Sequence, residues 1–157
     1  MATTQIIAAA LVLLAVARTA TAEIPILTLT GAVNGAPVSL TRSALKDLPQ
    51  HELATSTSVT DGTPVFEGFL MRDLLSEYQS SGETVVAVAL NDYQINIPVS
   101  DFERFDVIGA LYKDGQTLSP RDKGPIWIVY PRDDHGELQD IRYDTRWVWQ
   151  LVALHVE

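Results

Sequence analysis

Short runs of strand-like composition dominate the apolar pattern of this chain, and helical spacing of apolar residues is confined to three brief stretches. Residues 26–33 (ILTLTGAV) read as a strand. Asn34-Gly35 is the dipeptide of a type I′ hairpin, and Val38 and Leu40 continue the partner strand. Thr41 can cap a short helix over residues 42–48, in which Leu45 and Leu48 share a face and which Pro49 stops. Residues 51–60 (HELATSTSVT) predict a hydroxyl-rich strand, turned back by Asp61-Gly62. Phe66-Glu67-Gly68 leads into a second helix over residues 69–78, with Leu70, Leu74, Leu75 and Tyr78 at helical spacing.

The continuous apolar run at residues 84–90 (TVVAVAL) predicts a strand buried on both faces. Asn91-Asp92 makes a turn, and Tyr93, Ile95 and Ile97 then alternate until Pro98 ends the next strand. Ser100-Asp101-Phe102-Glu103 has the form of a capping box that opens one or two helical turns. Residues 107–112 read as a strand, Asp114-Gly115 as a turn, and residues 126–130 (IWIVY) as a strand between Pro125 and Pro131. Residues 132–146 are the longest stretch without a strand or helix pattern, and residues 149–156 close the chain. About nine short strands and three short helices, with no internal repeat or linker, describe a β-rich α+β domain.

The N-terminus carries a different signal. Residues 6–17 (IIAAALVLLAVA) form an unbroken apolar run, the length of a signal-peptide core and short for a membrane span. Arg18 interrupts it, and Ala20-Thr21-Ala22 supplies the small-x-small pattern of a cleavage site. Residues 1–22 are therefore expected to be an export signal, and residues 23–157 one periplasmic or secreted domain; the alternative is an uncleaved anchor.

The chain has 11 basic and 20 acidic residues, a net charge of −9, and cleavage would remove Arg18 as well. So acidic a surface repels phosphate backbones and anionic lipid, which argues against nucleic-acid and membrane-surface roles. The absence of cysteine excludes disulfides, zinc ribbons, iron–sulfur clusters and thiol catalysis.

Four segments carry a family resemblance: residues 40–62 (LTRSALKDLPQHELATSTSVTDG), 66–75 (FEGFLMRDLL), 89–102 (ALNDYQINIPVSDF) and 121–131 (RDKGPIWIVYP) with its Trp-bearing tail. In that order and spacing the chain resembles the molybdopterin-binding domain of sulfite-oxidase-type oxidoreductases, and most closely its small, stand-alone, exported members. The resemblance implies that fold, with mixed sheets and a few short helices, and a pocket able to hold molybdopterin. It also implies a metal-ligating cysteine after the Leu-Pro segment, where this chain has Ala54-Thr55-Ser56-Thr57-Ser58 and Ser58 stands in the ligand's position. A serine hydroxyl is a hard, high-pKa ligand that does not replace a soft thiolate on molybdenum. A lysine often precedes the tryptophan of the last strand in the family; here Val148 precedes Trp149, with Arg146 nearby.

The candidate ligand-binding residues follow: Ser58, Asn91, Tyr93, Lys123, Arg132, Arg146 and Trp147. Lys123, Arg132 and Arg146 belong to a C-terminal cluster of basic residues with Arg121 and Arg142, suited to phosphate or carboxylate. The plainer account is loop ion pairing with Asp122, Asp133, Asp134, Asp140 and Asp144. Asn91 and Tyr93 sit at a turn, where an amide and a phenol can meet the edge of a planar ligand, or simply make the turn and pack. Trp127, Trp147 and Trp149 all suit the core, and of the three Trp147, which leaves a charged loop, can instead form a stacking wall. His135 among Asp133, Asp134 and Glu137 lacks any recognised metal-ligand spacing. No nucleophile elbow, glycine-rich phosphate loop or zinc-protease helix is present. The expectation is a non-catalytic module that binds a small planar or anionic ligand, senses it, or docks a membrane or periplasmic partner. The alternative is a molybdopterin-dependent oxidoreductase that holds its cofactor without a protein thiolate.

Overall fold

The computed structural model describes residues 22–157, so the expected export signal lies outside the described residues except for Ala22. β1 (Leu27–Gly31) and β2 (Val38–Leu40) pair antiparallel, with Leu29 facing Val38. Those partners lie too far apart in sequence for a two-residue turn, and of the Asn-Gly pair only Gly35 has a positive φ, +74°. The expected type I′ turn is replaced by a longer loop. α1 (Arg42–Lys46) starts where Thr41 Oγ1 accepts the Ala44 N–H at 3.2 Å, and it buries Leu45. The Arg42 guanidinium donates to the carbonyls of Leu111, Leu118 and Pro125, at 3.3, 3.3 and 3.4 Å. One side chain thus ties α1 to three distant stretches of backbone.

β3 (Gln50–Ala54) is shorter than the strand expected over residues 51–60. Beyond it, the hydroxyls and amides bond locally and to Asp133 instead of extending the ladder. β4 (Val65–Leu70) and α2 (Met71–Glu77) divide the helix expected over residues 69–78. Phe69 and Leu70 pair with Gly109 and Ile108 of β7 (Ile108–Lys113), so the helix begins only at Met71. Short apolar runs fit both periods, and the neighbouring strand decides. At Gly68 the two strands approach so closely that a Cβ would lie 2.0 Å from the Gly109 carbonyl oxygen.

β5 (Thr84–Ala89) is buried on one face rather than both: Val85, Ala87 and Ala89 are buried, and Thr84, Val86 and Val88 are half-buried. After β6 (Gln94–Pro98), α3 (Val99–Arg104) is entered from Pro98 with no side-chain cap. Ser100 lies inside the helix, so the expected capping box does not form. Asp114 and Gly115 both have positive φ, +50° and +72°, and make a two-residue hairpin from β7 to β8 (Gln116–Thr117). β9 (Trp127–Val129) follows. The stretch 132–146, patternless in sequence, contains a 3-10 turn (Gly136–Gln139) and α4 (Ile141–Asp144) before β10 (Leu151–Val156).

The strands form two five-stranded sheets. The first has the order β2-β1-β10-β5-β6, mixed because β1 and β10 are parallel. The second is antiparallel: β3-β4-β7-β8, with β9 sharing the β7 edge beside β8. One core joins them, with Leu29, Val85 and Leu154 from the first sheet and Phe66, Phe69, Ala110 and Trp127 from the second. Each fully buried Leu, Val or Phe contributes about 1.5–3 kcal/mol, so this shared core is the main cohesive term. The chain end links the sheets covalently and by backbone bonds: Ile128 N–H to Val148 O at 2.9 Å and Leu151 N–H to Ile126 O at 3.0 Å. Among the described residues no helix is long and apolar enough to cross a membrane.

Candidate functional site

The β5–β6 turn and the segment Asp144–Trp149 enclose a cavity of about 280 Å³. Asp92 is left-handed (φ +63°), its N–H donates to Ala89 O at 3.0 Å, and Asn91 Oδ1 accepts the Tyr93 N–H at 3.2 Å. This geometry sets Asn91 and Tyr93 on the cavity wall, and the Tyr93 hydroxyl reaches across to donate to Thr145 O at 2.9 Å. Trp147, Trp149 and Tyr93 supply aromatic surface, Ala89 and Val148 aliphatic surface, and Asn91, Thr145 and Asp144 polar groups. Asp144 is the one ionisable acid or base in the lining besides the Tyr93 phenol.

Two atoms of these residues stand out chemically. Trp147 is only 6% exposed, yet its Nε1–H has no acceptor, and Asp144 Oδ1 is sealed from water with no donor. Trp147 packs tilted on Tyr130, ring centroids 6.1 Å apart. Trp149 is 38% exposed and stands edge-on to Trp127, 6.4 Å away. Lys123 Nζ covers the outer aromatic surface, 4.6 Å from the Trp149 centroid and 5.5 Å from that of Trp127.

Of the seven residues expected from sequence, Asn91, Tyr93 and Trp147 come together in this cavity. The other four do not join them in its lining. Ser58 is exposed in a turn. The strand that would have aimed it inward ends at Ala54, and the buried hydroxyls of this loop are Thr55 and Thr57. Lys123 shares a shallow surface cleft with Val59 and Thr60, the residues just after Ser58. Arg132 is half-buried, with its Nε unpartnered. Arg146 is ion-paired to Asp101, whose Oδ2 also accepts the Tyr130 hydroxyl at 2.9 Å. Of the loop pairs foreseen, Arg142 with Asp140 forms, at 2.9 Å.

The polar staples around the site were not visible in the pattern of residues. Asp101 resembles part of a capping box, but its carboxylate is 4% exposed and organises Tyr130 and Arg146. Burial foremost, and then the Asp101 charge, push the Tyr130 hydroxyl far above the ordinary phenol range. Asp133 accepts from Ser56 N–H at 2.6 Å and Ser56 Oγ at 2.5 Å, while its own N–H donates to Thr55 Oγ1 at 3.2 Å. The side-chain bond and then the backbone bond from Ser56 hold its carboxyl below the usual range. Trp149, which the sequence suggests for the core, is instead 38% exposed and lines the cavity with Trp147. His135 packs edge-on to Phe105, 5.0 Å away. Among the described residues no group of three or more His, Cys, Asp or Glu is placed to hold a metal ion.

No protein-family model matches the chain, and no curated protein sequence does. Among solved structures it is similar to the sulfane dehydrogenase SoxCD from Paracoccus pantotrophus, with a TM-score of 0.63 at 17% identity. The match covers 83% of this chain and 37% of that one, so this chain spans little more than a third of the SoxCD chain it matches. The similarity shows the fold: a β-rich single domain with mixed and antiparallel sheets and few short helices.

Proposed function

We propose that this chain is an exported, non-catalytic binding module built on the fold of sulfite-oxidase-type molybdopterin domains. The observation that carries the reading is chemical: the chain has no cysteine, and the loop expected to supply a metal ligand is committed elsewhere. Ser56 and Thr55 are bonded to Asp133, and Ser58 faces solvent. A hydroxyl there is no substitute for a thiolate on a soft metal.

The lining of this cavity does not fit molybdopterin: the cofactor's phosphate needs cationic partners, yet the lining carries the Asp144 carboxylate and no basic side chain, and Arg146 is engaged by Asp101. The aromatic walls favour a small planar ligand, and the absence of a basic side chain from the lining disfavours an anionic one. Localisation in the periplasm or outside the cell follows from the N-terminal apolar run and its small-x-small end. The likeness to a dehydrogenase of the same fold supports the alternative, an oxidoreductase holding molybdopterin without a protein thiolate.

Elemental analysis and acid-released pterin fluorescence separate the two. Protein purified from a host that makes the cofactor should contain neither molybdenum nor pterin in stoichiometric amount. Molybdenum at one atom per chain overturns the binding-module reading.

A further inference from the structure

We infer that the outer edge of β6 docks an extended, basic segment of a partner protein, which joins the mixed sheet as an added strand. The inference goes beyond the binding-module reading and does not depend on what the cavity holds.

The backbone carries it first. β6 ends the order β2-β1-β10-β5-β6, and its register with β5 settles which of its polar groups are already used. At one end of that ladder Ala89 N–H donates to Tyr93 O at 2.9 Å, and at the other Val99 N–H donates to Glu83 O at 2.9 Å. Hydrogen-bonded pairs alternate along an antiparallel ladder, so Ile95 and Ile97 face β5 between those two bonds. Gln94 and Asn96 therefore turn both N–H and C=O outward, and Pro98 its C=O. Among the described residues no further backbone group meets them, and Gln94 and Asn96 are exposed. The other strand edges are guarded. β2 has three residues and β8 two, and β3 carries a charge within the strand, Glu52. Shortness and charge are common protections against strand addition. β6 has five residues and no charged one.

Electrostatics choose the occupant. A second copy of the chain brings a like net charge of −9 and is repelled. Asp92 flanks one end of the edge, and at the other end Glu83 and Glu103 share a surface cleft with Pro98 and Val99. Among the described residues none of these three acids has an ion-pair partner, and Arg104, the base on α3, is held by Glu137. Lys or Arg near the ends of the added strand supplies the complementary charge. Between the ends, side chains alternate across the sheet. One side of the new strand lies beside half-buried Ile95 and suits an apolar residue, while the other lies beside Gln94 and Asn96 and suits polar ones. Main-chain bonds then give affinity, and the alternate side chains give specificity.

The test is a titration of the isotopically labelled protein, followed by amide NMR, with a capped peptide of alternating threonine and valine that bears two lysines at each end. The Gln94 and Asn96 amides should shift saturably and gain protection from hydrogen exchange. The same peptide with backbone N-methylation at alternate residues, or with glutamate in place of lysine, should bind at least about tenfold more weakly. Glu83→Gln and Glu103→Gln alter exposed side chains only, and each should weaken the lysine peptide by about two- to fivefold. The inference is overturned if the β6 amides do not respond, if β3 responds in their place, or if the N-methylated or glutamate peptide binds as tightly. It is also overturned if sedimentation shows a dimer of the free protein whose Gln94 and Asn96 amides are already protected, since a second copy then covers the edge. None of these outcomes involves molybdenum, so the elemental assay judges the binding-module reading separately.

Discussion

The Tyr130 hydroxyl is buried and donates to an Asp101 oxygen that also receives Arg146. This three-member network joins α3, the end of β9 and the segment before β10, so its loss is felt in three elements. Tyr130→Phe should cost about 1.5–3 kcal/mol at neutral pH, the value of a hydrogen bond to a charged group. The same change has a signature in alkali. The folded-state pKa of Tyr130 is raised far above that of a free phenol, first by burial and then by Asp101. As pH climbs past about 10, the unfolded chain releases this proton while the folded chain keeps it. The contribution is therefore full below about pH 10 and is lost above it, by about 1.4 kcal/mol per pH unit. Urea unfolding through this range should show a steeper decline for wild type than for Tyr130→Phe. Parallel declines would mean that the hydroxyl titrates normally in the folded protein.

Two loops rather than a strand define the region where a metal ligand was expected. Asp133 holds the segment after β3 by accepting both the N–H and the hydroxyl of Ser56. Asp133→Ala should speed hydrogen exchange at the Ser56 amide and leave β5 and β10, in the other sheet, unchanged. Unaltered exchange at Ser56 would show that the tie is not what orders the loop. Because Ser56 depresses the Asp133 pKa, the tie is complete above the unfolded carboxylate value of about 4 and is lost as pH falls through the lower folded value. The hydroxyl-rich pattern of residues 51–60 reads as a strand because Thr and Ser fit a pleated surface as well as a turn. Only the partner, Asp133 in a loop more than seventy residues later, decides between them.

At the scale of the whole molecule, the two sheets cannot separate without breaking shared structure. They contribute to one core, and Val148 and Ile126 bridge them through the backbone. Trp127 is fully buried in that core, against Phe66 at 5.2 Å. Denaturant unfolding followed by tryptophan fluorescence and by far-ultraviolet circular dichroism should therefore give coincident transitions. Separate midpoints would show that one sheet outlives the other.

What the sequence determined was local. Thr41 caps α1, Pro49 follows it, Asp114-Gly115 turns between two strands, and Ile95 and Ile97 face the same side of β6, because capping, turn chemistry and period-two burial act within a few residues. The same nearby information brought Asn91, Tyr93 and Trp147 forward as site residues, and they do meet in one cavity. Tertiary structure decided whatever depended on a distant partner. Phe69 and Leu70 became strand because β7 lies beside them, and Ser58 turned to solvent because Asp133 captures the residues before it. Arg146, a candidate phosphate ligand by its charge, became the partly exposed half of an ion pair because α3 brings the buried Asp101 to it. Charge type is written in the sequence. The group that neutralises it is chosen by the fold, since a buried ion requires a partner at hydrogen-bond distance and topology alone supplies one.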